Sequence, residues 1–218
     1  NLLKNKNIKI LNRTSVAAYH NYNYLIMMQN LTDHLNEDGK KNKIRQRLWK
    51  VRAKKVILAT GSIERMMVFD CNDRPGIMLS SGVRKYLNHY AVKCGNNVVI
   101  FANNDDAYET ALSLHHKGVK IEAIIDIREN SQGDLVKRCN DLGLKILWKH
   151  IVVSTGGRKK INKVFVMKLS DNNNSVIGNK IKIDCDLMCV SGGYTPAVHL
   201  FTQSGGKLLF DEKKSYFY

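Results

Sequence analysis

The sequence predicts an α/β protein in which an outer sheet is interrupted by an inserted βαβ domain. Two strand-like runs far apart in the chain end in small residues: the apolar Val56-Ile57-Leu58-Ala59 leads into Thr60-Gly61, and "NKIKIDCDLMCV" leads into Ser191-Gly192-Gly193. An unbroken apolar run such as the first marks a parallel strand whose two faces are covered by helices. Between the two runs, Asn96 to Glu129 reads as strand, helix and strand, a length that suits a right-handed βαβ crossover. Ligands of open α/β sheets gather at the carboxyl ends of strands. A strand ending in Thr-Gly or Gly-Gly also lets a nucleotide approach the backbone with no Cβ in the way.

In chain order, "IKIL", "SVAAYH" and "YLIMMQNL" read as short strands, and "GKKNK" is a turn into "IRQRLWKVRAKKVILATG". Val83, Tyr86, Leu87 and Tyr90 recur at helical spacing within Ser80 to Val92, giving a short amphipathic helix with a serine cap, broken by Gly95. In the next unit Val98 to Ala102 is a strand, Asn104-Asp105-Asp106 starts a helix with Ala107, Ala111 and Leu114 on its buried face, Gly118 stops it, and Ile121 to Ile127 is the second strand. "SQGDLVKRCNDLG" is a further helix and "LKILWKHIVVSTGG" a third strand. "KVFVMKLS" and "NKIKIDCDLMCVSGG" form a hairpin across the polar run 171–175. The expected division is residues 1–94 and 181–218 for the outer domain and 95–180 for the insertion.

Composition narrows the function classes. With 218 residues and 44% hydrophobic content the chain can bury proper cores. No apolar run approaches the roughly 20 residues that cross a bilayer, and no signal peptide opens the sequence, so the expectation is a soluble cytoplasmic protein without membrane contact. The chain opens on Asn1 with strand-like residues and no glycine-rich turn before them, which reads as a start inside a domain. The net charge of +16 is spread over every segment. A nucleic-acid groove needs clustered charge interleaved with stacking aromatics, so no nucleic-acid partner is expected. The five cysteines are scattered and form no CxxC; Cys185 and Cys189 are expected on one strand face as small buried hydrophobes. His115 and His116 are adjacent on a helix and point apart, and no metal site or nucleophile with a base is evident.

The inserted βαβ unit lacks one functional part. A dinucleotide turn uses GxGxxG so that pyrophosphate can rest on helix N–H groups. Here the turn reads Ala102-Asn103-Asn104-Asp105-Asp106-Ala107, with two carboxylates where phosphate would lie. Their mutual repulsion is expected to cost on the order of several kcal/mol. Asp126 falls where ribose would be read, but without the phosphate cradle it is expected to be a strand-end polar residue. Glu64-Arg65 and Asp73-Arg74 are expected to be structural ion pairs or loop-ordering contacts.

Three stretches carry a resemblance: Arg47 to Gly95, including Ala-Thr-Gly-x-Ile-Glu-Arg and Asn-Asp-Arg-Pro-Gly; Asn103 to Leu112; and Asp186 to Glu212, including Ser-Gly-Gly-x-x-Pro-x-Val-His-Leu. In this order they resemble the alpha subunits of heterotetrameric sarcosine oxidase, most weakly in residues 1–45 and 130–180. The related amine and amino-acid dehydrogenase and cyanide-synthase subunits share part of the pattern. The resemblance implies a two-dinucleotide-binding, glutathione-reductase-like flavoprotein fold, with an incomplete outer Rossmann domain and the βαβ insertion. It implies a complex of alpha with beta, gamma and delta subunits that oxidises sarcosine with oxygen to glycine, hydrogen peroxide and a one-carbon unit passed to tetrahydrofolate. FAD and FMN would belong to the complex through the partner subunit. Alpha would hold NAD, with FAD as the other candidate for the same outer site, and no catalytic residue would lie in this chain. Val16 would meet the adenine through its backbone; Thr195, Leu200 and Thr202 would be late contacts to the dinucleotide; Ala59, Thr60 and Gly61 would approach it by backbone. The glycine-rich first turn would lie before Asn1. Competing readings are a self-contained pyridine-nucleotide flavin reductase, which needs a working inner NAD site and usually paired cysteines, and a non-enzymatic nucleotide- or nucleic-acid-binding module.

Overall fold

A computed structural model describes residues 5–218, which divide into two compact units, Asn1–Ser62 with Pro196–Tyr218 and Ile63–Thr195. The expected boundaries near 94 and 181 fall inside the second unit. The reason is strand pairing: Ile77–Leu79 lies parallel to Met188–Val190, which draws both flanks of the insertion into one sheet.

The first unit is an antiparallel meander of β1 (Thr14–His20), β2 (Tyr24–Asn30) and β3 (Gln46–Arg52), in the order β1-β2-β3. A bulge between Val16 and Ala18 shifts the register of β1 against β2. Trp49 Nε1 of β3 donates across to Gln29 Oε1 of β2 at 2.8 Å, and Lys9 Nζ, from the chain ahead of β1, stands 4.5 Å from the Trp49 ring centroid. The short α1 (Glu37–Lys40) is capped by Asn36, whose side chain accepts the Gly39 N–H at 2.9 Å. The expected strands at Ile8–Leu11 and Val56–Ala59 do not form, and Ile57 is 91% exposed. A parallel strand exists only by pairing, and no described residue pairs with Val56–Ala59. The remaining elements of this unit are α5 (His199–Gln203), β14 (Phe210–Asp211) and β15 (Tyr216–Phe217); β4 (Ser62–Glu64) and β13 (Tyr194–Pro196) fall at the two chain boundaries between the units.

The second unit carries a five-stranded parallel sheet of β5 (Ile77–Leu79), β6 (Asn97–Ala102), β7 (Lys120–Asp126), β8 (Ile146–Trp148) and β12 (Leu187–Ser191), in the order β5-β12-β6-β7-β8. The helices are α2 (Ser80–Tyr90), α3 (Asp106–His116) and α4 (Asp134–Asp141). Val98, Ile100 and Ala102 of β6 pack with Val83, Tyr108, Ala111 and Leu114 from the helices. Val99 and Phe101 point the other way, toward Val152, Val164 and Val166. Those three belong to an antiparallel sheet, ordered β11-β10-β9, of β9 (His150–Gly156), β10 (Lys163–Leu169) and β11 (Val176–Asp184). The run Val98–Ala102 is unbroken because strand side chains alternate and both faces are buried. One cover is helical; the other is a second sheet.

Two expected strands are each broken in two. Lys149, at φ +56°, turns the chain out of the parallel sheet after β8 and into β9. After β11 the chain turns at Cys185-Asp186, and the Asp186 carboxylate accepts the Asn96 and Asn97 N–H groups at 2.9 and 2.8 Å. That turn places Cys185 in the core between the sheets and Cys189 in the helical core, not on one face as expected. The expected serine cap of α2 is also replaced. Ser80 is the first helical residue, and the buried Glu64 Oε2 accepts both the N–H and the Oγ–H of Ser81, at 2.8 and 2.6 Å. Helix α2 ends at Ala91, whose φ of +54° serves as a left-handed cap ahead of Gly95.

Candidate functional site

In the first unit, two segments far apart in sequence meet beside Ala59-Thr60-Gly61. Thr60 Oγ1 donates to the Ala197 carbonyl at 2.7 Å, and the Ala197 N–H donates to the Gly61 carbonyl at 3.0 Å. These bonds fasten the start of the 196–203 segment to the turn. Next to them lies a cavity of about 370 Å3, lined by residues 58–61 and 196–198 together with Phe201 and Tyr218. Gly61 turns with φ +69°, and a Cβ built on it would have no heavy atom within 4 Å, so the backbone there faces open space. The volume lies within the range of small-molecule sites, roughly 300–1,000 Å3. It is large enough for a nucleoside-sized group.

The expected site residues distribute as follows. Ala59, Thr60 and Gly61 line the cavity. Val16 lies on β1 at the bulge, with its partner Met27 on β2. Helix α5, which bears Leu200 and Thr202, is tied to β1 by Gln203 Oε1 accepting the Tyr19 N–H at 3.0 Å. The Thr202 hydroxyl is spent within its own helix, donating to the His199 carbonyl at 2.8 Å. Thr195 belongs to the second unit, as its last residue. Phe201 and Tyr218 line the cavity without having been singled out, because Phe201 is a lone aromatic on the short α5 and Tyr218 follows β15 with no motif around it.

The inner crevice, at the carboxyl ends of β6 and β12, is filled by its own side chains. Asn104 Nδ2 donates to Ser191 Oγ at 3.0 Å, and the Asn103 N–H donates to the Ser191 carbonyl at 3.2 Å. Arg84 NH2 reaches both Asp106 oxygens at 3.1 and 3.0 Å, and Tyr194 OH donates to Asp106. Asp105 takes Arg128 NH1 at 2.8 Å and the Ser131 hydroxyl at 2.9 Å. The expected repulsion between the two carboxylates is therefore answered by a separate guanidinium on each. Asp126, fully buried, accepts from Arg128 NH2 at 2.7 Å and from Tyr108 OH at 2.8 Å, a far more embedded role than a strand-end polar residue. Burial pushes the Tyr108 hydroxyl pKa up, reinforced by the Asp126 charge. Burial lowers the Arg128 pKa, but hydrogen bonds to Asp126 and Asp105 outweigh it and the net shift is upward. Burial likewise raises Tyr194, helped by its bond to Asp106. Arg84, Arg128 and Tyr194 carry no sequence signal, since each pairs across elements.

Burial pushes the Cys139 thiol up to about 11 and Cys185 to about 12, so neither is a poised nucleophile. Among the described residues no group of three or more His, Cys, Asp or Glu could hold a metal, and no helix is long and apolar enough to cross a membrane.

The fold is that of the FAD- and NAD-dependent oxidoreductases, in the partial form of the two-dinucleotide-binding architecture. L-proline dehydrogenase from P. horikoshii superposes with a TM-score of 0.61 at 22% identity, over 98% of this chain and 33% of that one. Thioredoxin reductase from T. acidophilum gives 0.57 at 17%, over 77% and 53%, and a pyridine nucleotide-disulphide oxidoreductase from Desulfovibrio vulgaris gives 0.58 at 16%, over 92% and 47%. No family model matches. In sequence, the chain is similar over nearly all of its length to part of the sarcosine oxidase alpha subunits. It is 36% identical over 203 residues to sarcosine oxidase subunit alpha of Corynebacterium sp. (strain P-1), covering 92% of this chain and 21% of the relative. It is 31% identical over 211 residues to that of Rhizobium meliloti (strain 1021), covering 97% and 20%. The resemblance carried by the three motif stretches is thereby shown; the chain spans about a fifth of the length of these relatives.

Proposed function

We propose that this chain is the dinucleotide-holding, non-catalytic part of a sarcosine-oxidase-type alpha subunit, and that its ligand is NAD, bound in the first unit. The observation that carries this reading is the cavity beside Ala59-Thr60-Gly61, closed by a segment more than a hundred residues away in sequence. Bare backbone and small residues at such a turn suit close approach of a nucleotide. The inner crevice is a poor rival, because Asp105 and Asp106 lie where a pyrophosphate would need positive charge, and their guanidinium partners are already engaged.

The name of the relatives supports assembly with further subunits, here proposed as beta, gamma and delta, in a cytoplasmic complex that oxidises sarcosine with oxygen and passes the one-carbon unit to tetrahydrofolate. FAD and FMN would be held through the partner subunit, and one flavin would accept the hydride from the amine. Within this chain Ala59, Thr60, Gly61, Val16, Leu200 and Thr202, all in the first unit, hold and orient the dinucleotide. They move no proton and attack no bond.

The test is cofactor release. The protein, purified with whatever subunits accompany it, is denatured and the freed nucleotides are separated and weighed by mass spectrometry. NAD in a one-to-one ratio with this chain is the expected result. FAD in that ratio, or no dinucleotide assignable to this chain, would count against the assignment.

A further inference from the structure

Two half-exposed aromatic side chains border the cavity beside Ala59-Thr60-Gly61: Phe201 at 41% and Tyr218 at 55% exposure. Neither is placed there loosely. A Cβ on Gly206 would stand 2.5 Å from atoms of the Phe201 ring, so the ring lies against bare glycine backbone, and the Gly206 N–H donates to the Phe201 carbonyl at 3.1 Å. Tyr218 is fixed by a reciprocal pair of backbone bonds with Leu209, at 2.9 and 3.0 Å. The rest of the lining, Leu58, Ala59, Gly61, Pro196, Ala197 and Val198, has no polar side chain, and the Thr60 hydroxyl is already donating to the Ala197 carbonyl. Such a site offers π faces and peptide edges and little other polar chemistry. That combination favours a flat heterocycle, whose faces stack while the polar groups at its edge meet peptide groups, over a flexible polar chain.

We infer that Phe201 and Tyr218 form a ring-stacking subsite that takes a planar heteroaromatic ring of the bound dinucleotide. The inference rests on the dinucleotide reading above and adds two residues that set which part of the ligand is held. Adenine and nicotinamide share the required chemistry, and the two halves of NAD separate them.

The experiment uses the intact protein with its accompanying subunits, depleted of endogenous nucleotide, and titrates NAD, AMP and nicotinamide mononucleotide by calorimetry. Variants are Phe201→Leu and Tyr218→Leu, which keep apolar bulk without the ring, and Phe201→Tyr, which keeps the ring. NAD and one of its halves are expected to bind. Each leucine variant should weaken that half and NAD about tenfold, the scale of one base–aromatic stack. Phe201→Tyr should restore affinity, and the melting temperature of the Tyr218→Leu protein should not move. Unchanged affinity in both leucine variants overturns the inference while leaving the dinucleotide reading intact. Failure of the wild type to bind NAD overturns both. Leucine variants that melt earlier yet bind NAD as before would show that the rings cover polypeptide, which also overturns it. Because Tyr218 lies outside α5, its variant carries the test if Phe201→Leu fails to fold.

Discussion

Asp126 is a carboxylate with no exposed surface, and its environment explains how that is tolerated. An unpaired buried charge is costly, and removing one partner of a buried pair commonly costs about 3–5 kcal/mol. Arg128 supplies a two-pronged ion pair and Tyr108, itself fully buried, a hydroxyl donor at 2.8 Å. Tyr108→Phe removes only the hydroxyl and leaves the ion pair, so the loss should be smaller, about 1–2 kcal/mol of unfolding free energy in a urea titration. No shift in the midpoint would mean that the bond contributes nothing. The acidic residue at the end of β7 is visible in the sequence; its partners are not, because Tyr108 and Arg128 are ordinary helix and loop residues until the fold brings them together.

At the scale of elements, hairpins and helix ends depend on single backbone positions. The turn between β9 and β10 passes through Gly157 at φ +142°, where a Cβ would stand 1.9 Å from the Lys160 carbonyl oxygen. No rotamer relieves a clash with backbone, and the conformation itself is reserved for glycine. Gly157→Ala should therefore destabilise the protein by about 2 kcal/mol or more, seen as a lower thermal midpoint. An unchanged midpoint would show that the turn can refold locally. The elements most legible in the sequence were those with strong periodicity and punctuation: β6, α3 and β7, where apolar alternation, helical spacing and Gly118 agree. Breaks at Lys149 and Cys185-Asp186 were not legible, since a lysine at positive φ and a cysteine turn are set by which sheet each half joins.

Across the whole chain, burial is uneven. Both hydrophobic cores are built entirely from residues of the second unit. In the first unit Leu25 is the one buried apolar side chain among the described residues, while Val16, Met28, Leu48 and Ile57 stay exposed. Burial of a Val, Leu, Ile or Phe side chain contributes about 1.5–3 kcal/mol, and that term must offset the entropy of ordering the backbone. Residues 63–195 expressed alone should consequently give a single cooperative thermal transition, whereas residues 1–62 alone should not. A broad, non-cooperative melt of 63–195 would show that its cores need the rest of the chain. The apolar surface of the first unit also predicts poor solubility for the 218-residue chain in isolation.

The sequence by itself determined the α/β class, the βαβ insertion, the absence of a glycine cradle at its turn and the likeness to sarcosine oxidase alpha subunits. These are properties of local pattern, in which neighbouring residues carry the information. Only the tertiary structure decided that Val56–Ala59 stands unpaired, that Asp105 and Asp106 are each neutralised by an arginine, that the second unit begins at Ile63, and that Phe201 and Tyr218 border the cavity at Gly61. Each of these depends on which distant segments come into contact, and contact between segments far apart in the chain leaves no periodic trace in either one.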